Sequence, residues 1–168
     1  MEVIILTGMS GAGKSLAANY LEDMGFFCID NLPPSLLAEL VQSYLKKNNA
    51  LAPEDRIEDR MAFVIDVRSS ERFDDIFHAL ERLNQMKIHY RIIFLDATDQ
   101  VLINRYKQSR RNHPLAAGRS IVQAIEQERQ KLAPIKELAA DVIETSVLAP
   151  NELRDMLYAM LSTSDRDE

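Results

Sequence analysis

Eight residues near the N-terminus, Gly8-Met9-Ser10-Gly11-Ala12-Gly13-Lys14-Ser15, constrain the fold of this chain more than any other feature. They satisfy the pattern G-x-x-x-x-G-K-[ST], in which glycines let successive backbone amides turn inward and wrap a row of phosphates. The context is the one the motif requires: EVIILT reads as a buried strand directly before it, and LAANYLEDM as an amphipathic helix directly after. That helix aims its positive end at the phosphates. Lys14 is expected to reach the β- and γ-phosphates as a point charge, and the Ser15 hydroxyl to coordinate a Mg2+ ion bridging them.

The rest of the chain repeats the strand-then-helix alternation. Short apolar runs rich in β-branched and aromatic residues predict parallel strands over Val3–Thr7, Phe26–Ile29, Ala62–Ile65 and Tyr90–Leu95, with a weaker fifth over Asp141–Glu144. The first helix is expected from Lys14 to about Met24, with Ala17, Tyr20, Leu21 and Met24 on one face and Gly25 as its stop. The same spacing recurs in Phe73, Ile76, Phe77, Leu80 and Leu83, in Ile121, Ile125 and Leu132, and in Leu153, Met156, Leu157, Met160 and Leu161. This pattern predicts a doubly wound α/β sheet of five strands, with ligands bound beyond the C-terminal strand ends. Lys46–Arg60 is polar and is expected to be a surface loop, and Ser109–Arg119 is expected to join two helices.

Composition narrows the partners. The 168 residues suffice for one domain, placed at 1–162 with a polar tail over 163–168, and 46% of them are hydrophobic. Twenty Lys and Arg stand against 26 Asp and Glu, a net charge of -6, so nothing attracts nucleic acid or an anionic membrane globally. Any polyanion must be held locally. The single cysteine, Cys28, cannot form an internal disulfide; its apolar neighbours imply a buried thiol in a reducing compartment, and a cytoplasmic location is expected. The N-terminal apolar run is too short for a signal peptide, and no stretch is long enough to span a membrane. His78, His89 and His113 have no paired spacing for a metal.

Further site candidates lie at strand ends and in the basic loop. Asp66, closing AFVID, is the preferred acid for the magnesium shell; its rival is Asp96 in RIIFLD, after which Thr98 suits a helix N-cap. Arg68 and Ser69 either face the nucleotide, or Ser69 or Ser70 caps the next helix. Asp30, in CIDNLPP, either accepts the proton of an acceptor hydroxyl or forms an Asx turn ahead of Pro33-Pro34. Arg110, Arg111 and Arg119 occupy the position of lid arginines, where a guanidinium pairs with phosphates; Arg111 is the one expected to close over a phosphate, while a solvated charged loop would look the same.

GMSGAGKS, EDMGFFCIDNLP, the DVRS at Asp66, SRRNHPL and AIEQER, in that order and spanning essentially the whole chain, resemble the RapZ/YvcJ family of bacterial nucleotide-binding proteins. The resemblance implies a three-layer, kinase-like P-loop fold with a mainly parallel sheet, which binds ATP and GTP with magnesium and hydrolyses them slowly. It assigns Gly8–Ser15 to ATP and Asp66, Val67, Arg68 and Ser69 to GTP. Some members of the family present a small RNA to an endoribonuclease, so an RNA or endoribonuclease partner is implied, with homo-oligomerisation left open. Most of that recognition belongs to a second domain, which is expected to be absent here.

Overall fold

The computed structural model describes residues 2–55, 60–66, 74–109 and 120–162. Five strands, β1 (Glu2–Gly8), β2 (Phe27–Ile29), β3 (Arg60–Val64), β4 (Tyr90–Asp96) and β5 (Asp141–Glu144), form one sheet in the order β2-β3-β1-β4-β5. All four pairings are parallel. Six helices connect or follow them: α1 (Lys14–Asp23), α2 (Leu37–Ala50), α3 (Asp74–Gln85), α4 (Asp99–Ser109), α5 (Ile121–Leu138) and α6 (Pro150–Ser162). α1 packs on α6, α2 on α3 and α4 on α5.

Hydrophobic runs dictate this arrangement. Val3 to Leu6 in β1 and Ile92 to Leu95 in β4 are buried throughout, as strands covered on both faces must be. On α1, Ala17 and Leu21 are fully buried while Tyr20 and Met24 pack at the core's edge. That helix ends in a Schellman motif. Gly25 takes φ +96, its amide donates to the Glu22 carbonyl, and the Phe26 amide reaches back to Leu21. Ile76, Leu80 and Leu83 of α3, Ile125 and Leu132 of α5, and Leu153, Leu157 and Leu161 of α6 face inward as their spacing predicts. Phe73 lies outside the described residues, and Met156 departs from its expected stripe by being exposed.

The largest correction concerns Lys46–Arg60. Residues 46–50 form the last turn of α2, and Arg60 already belongs to β3. The polar letters KKNNA mislead because α2 turns Leu37, Ala38 and Val41 into the core and buries Asn48 as well, so lysines on the outer face continue the helix at little cost. Pro53 opens a 3-10 turn at Pro53–Asp55. Cys28, expected to be buried, is half-buried; its thiol donates to the Ala18 carbonyl at 3.4 Å, and burial, with the Glu22 and Asp30 charges adding, raises it to about 11. Among the described residues, no helix is long and apolar enough to cross a membrane.

The strand order decides where a ligand fits. From β1 the chain crosses to β2 and β3 on one side, then passes to β4 and β5 on the other. The topological switch therefore lies at the C-terminal end of β1, between β3 and β4. Gly8 and the loop after it start there.

Candidate functional site: the loop after the first strand

Residues 8–15 leave β1 and enter α1 through a turn in which Gly8, Gly11 and Gly13 all take positive φ, and the first and last of them show two separate reasons for glycine. Gly8, at φ +144, lies so close to β4 that a Cβ would sit 2.1 Å from the Leu95 carbonyl oxygen. Gly13, at φ +105, is the N-cap of α1, and a Cβ there would meet nothing within 4 Å. The first glycine is required by packing and the last by backbone conformation.

The conformation of the loop is held from outside, one residue at a time. The Met9 amide donates to the Leu95 carbonyl at 3.0 Å, and the Ala12 amide to the Met9 carbonyl at 3.0 Å. Ser10 gives both its donors to Glu128 of α5, the amide to one carboxylate oxygen at 2.8 Å and the hydroxyl to the other at 2.7 Å. Arg105 of α4 donates to the Gly11 carbonyl at 2.6 Å, and Thr145, just past β5, donates to the Ala12 carbonyl at 2.7 Å. Because a trans peptide is planar, turning the Ala12 carbonyl outward leaves the Gly13 amide facing the opposite way. Tyr106 completes the wall. Burial, with the Glu128 and Asp66 charges adding, pushes its hydroxyl up to about 12, with neighbouring Ser10 opposing the shift.

Lys14 is buried, and its ammonium lies inside the loop, 2.9 Å from the Gly8 carbonyl and 3.1 Å from that of Met9. Its charge partner is Asp66, 3.1 Å away and about one-third exposed at the end of β3. Ser15 is exposed on the first turn of α1. The structure thus brings the candidates Lys14 and Asp66 together, in the strand-end crevice of the topological switch.

Asp96 is committed elsewhere. It is 5% exposed; Arg129 reaches one oxygen at 2.8 Å and Lys136 the other at 2.8 Å, while the Ala97 amide also donates to it at 2.7 Å. Arg129 extends the knot to Asp99 at 2.6 Å and to the Ala97 carbonyl. Thr98 caps α4, accepting the Val101 amide at 3.4 Å. Burial pushes the Asp96 carboxyl up, but the Lys136 and Arg129 bonds and the Ala97 amide outweigh it and hold the group below the ordinary carboxylate range. A carboxyl whose folded value is depressed stabilises the fold above its unfolded value near 4, and that contribution disappears as the pH falls toward the folded value. Acid titration followed by circular dichroism should therefore show an Asp96→Asn variant losing less of its stability than the parent below about pH 4.

Asp30 is not part of this assembly among the described contacts. It is exposed beyond β2, and its carboxylate accepts the amide of Asn31, which adopts φ +55. The contact is with the adjacent amide, not the amide two residues on that an Asx turn would use. Val67, Arg68, Ser69, Arg110, Arg111 and Arg119 lie outside the described residues. Glu128, Arg105, Tyr106 and Thr145 were not expected from the sequence. Their loop partners are 94 to 133 residues away for Arg105, Glu128 and Thr145, so no local spacing signals them.

The strand order and the loop after β1 define a P-loop protein of the kinase-like α/β class. The shikimate kinase of Bacteroides thetaiotaomicron superposes with a TM-score of 0.60 over 95% of this chain and 98% of its own, at 17% identity, a likeness of fold alone. Residues 1–165 match the RapZ-like N-terminal domain, and the chain belongs to that family. A nucleotide-binding protein of Clostridium novyi is 42% identical over 168 residues, which is all of this chain and 55% of that protein. Another from Caldicellulosiruptor bescii is 48% identical over 160 residues, covering 94% of this chain and 53% of the relative. The chain therefore spans about half the length of these relatives.

Proposed function

We propose that this chain binds ATP and GTP with magnesium at Gly8–Ser15 and hydrolyses them slowly, so that the bound nucleotide regulates a partner. The observation that carries this reading is the Lys14 ammonium held within the loop against Asp66, between carbonyls that anchor the loop's shape. The naming of its relatives as nucleotide-binding proteins supports it.

Magnesium fits the residues present. An exposed hydroxyl at Ser15 and a partly exposed carboxylate at Asp66 are hard oxygen donors, and Mg2+ takes few protein ligands because phosphates and water complete its shell. Both Asp96 oxygens already bond to cations, so Asp66 is the better donor. The ion would supply charge neutralisation on the phosphates. Lys14 would bind the phosphates as a point charge, and the amides from Gly13 onward would orient them at the start of α1. Asp66 and Val67–Ser69 remain the GTP candidates.

The surroundings of the loop support slow turnover. No described side chain in contact with the loop is placed as a water-activating base: Asp66 faces Lys14, and Glu128 is spent on Ser10. Free phosphate should accumulate slowly from Mg-ATP and Mg-GTP. Equal rates in the parent and a Lys14→Ala protein would contradict the assignment. Labelled ATP separates this reading from a phosphotransferase with Asp30 as base and Arg111 in a lid, since a kinase moves the label onto an acceptor. An RNA or endoribonuclease partner, engaged chiefly by the part of the relatives beyond this chain, and a cytoplasmic site of action belong to the same proposal.

A further inference from the structure

Glu128 is fully buried on the inner face of α5, among Ala124, Ile125 and Leu132. An apolar side chain would pack there without the desolvation cost that a carboxylate carries, so the acid requires an explanation beyond filling the core. Its two oxygens divide the two donors of Ser10, one taking the amide and the other the hydroxyl. Charge-assisted bonds of 2.7 and 2.8 Å fix the backbone direction at Ser10 and the rotamer of its side chain together. The Tyr106 ring closes on the same loop, 3.5 Å from where a Cβ on Gly11 would sit.

The base of this clasp is rigid. The next residue, Arg129, ties α5 to Asp96, Asp99 and the Ala97 carbonyl at the end of β4. The helix starts in a capping box in which Ser120 and Gln123 exchange bonds. α5 is thus pinned to the strand beside the loop, and Glu128 transmits that position to Ser10. A negative charge next to a polyanion site opposes the ligand electrostatically, so what the clasp contributes to binding is geometry.

We propose that Glu128 is a positioning residue for the nucleotide site: acting through Ser10, it presets the loop so that the amides of Gly13, Lys14 and Ser15 are oriented before a triphosphate arrives. The proposal rests on the nucleotide-binding reading above. Preorganisation of this kind raises affinity by removing the ordering cost from the binding step.

Affinity and hydrogen exchange, with thermal unfolding as the control on folding, test it on parent, Glu128→Leu and Glu128→Gln proteins. Titration with a fluorescent Mg-ATP analogue should show affinity falling about tenfold or more for Glu128→Leu and less for Glu128→Gln, which keeps one acceptor oxygen. Thermal unfolding of the leucine variant should remain cooperative at a somewhat lower midpoint, since the part-buried Ser10 donors lose their acceptors. Hydrogen exchange in the absence of nucleotide should quicken in peptides covering residues 9–15 of the leucine variant while those covering β1 and β4 stay protected. That arm reads the clasp even if no nucleotide binds, so failure of the binding reading and failure of this one are distinguishable. Unaltered exchange in the loop together with parental affinity would overturn the proposal. Should Glu128→Leu not fold, Ser10→Ala, which removes the hydroxyl arm from a half-exposed position, carries the same two readouts, and no change in either is the contrary result.

Discussion

Replacing Gly8 with alanine is expected to destabilise the fold by more than about 4 kcal/mol, enough to leave little soluble protein. The argument is geometric. Gly8 pairs with Leu95 in the central β1–β4 ladder, and an added Cβ would lie 2.1 Å from the Leu95 oxygen, 2.7 Å from its nitrogen and 2.9 Å from its carbonyl carbon. All three atoms are backbone of a strand buried from Ile92 to Leu95, so no side-chain rotation relieves the clash. Separating the strands would also break the bond from the Met9 amide to Leu95 that starts the loop. The positive φ adds about 1–2 kcal/mol of strain for any residue with a Cβ. Gly13→Ala supplies the comparison: it faces open space at φ +105, so its cost is the backbone strain alone, about 1–2 kcal/mol. Urea denaturation of the two variants checks the contrast. A Gly8→Ala protein within 1 kcal/mol of the parent would refute the packing argument.

Lys14→Ala is expected to weaken Mg-ATP and Mg-GTP binding at least about a hundredfold while leaving the fold intact. A charge-assisted hydrogen bond is worth about 1.5–3 kcal/mol, and Lys14 is expected to make such bonds to two phosphates. Loss of about 3 kcal/mol corresponds to a little more than two decades in affinity. The change in stability should be far smaller. Alanine removes the donor from the Gly8 and Met9 carbonyls and the partner from Asp66, but Asp66 is about one-third exposed and water can solvate it. Titration by fluorescence, with thermal unfolding recorded on the same samples, separates the effects. Parental affinity in the variant would remove Lys14 from the phosphate site.

What the sequence conveyed and what it hid divide along the range of the interactions involved. GMSGAGKS, the strand before it and the helix after it are contiguous, so their geometry follows from local rules: glycines for positive φ, an apolar run for β1, a 3.6 period for α1 and Gly25 for its end. Strand order was not legible. β1 lies between β3 and β4, so Asp66 and Asp96 both finish strands adjacent to the loop, and their sequences, AFVID and IIFLD, look alike. They are told apart by Arg129 and Lys136, two cations on a helix more than thirty residues downstream, which consume Asp96 and leave Asp66 to Lys14. Glu128 was hidden for the same reason. AIEQER is a polar helical stretch by composition, and only the packing of α5 reveals that its second glutamate points into the core. The last turn of α2 was missed for the opposite reason, since its outward lysines resemble a loop when the buried Leu37, Ala38 and Val41 that begin the stripe are not counted with them.

The most direct test of the central claim is an equilibrium titration of the parent chain with ATP and with GTP, each in magnesium and again in excess chelator. Saturable binding of one nucleotide per chain, competition between the two, and a marked loss of affinity in chelator are the results predicted by a loop that wraps phosphates beside Lys14, Ser15 and Asp66. The absence of saturable binding, or binding that neither magnesium nor Lys14→Ala alters, would contradict it.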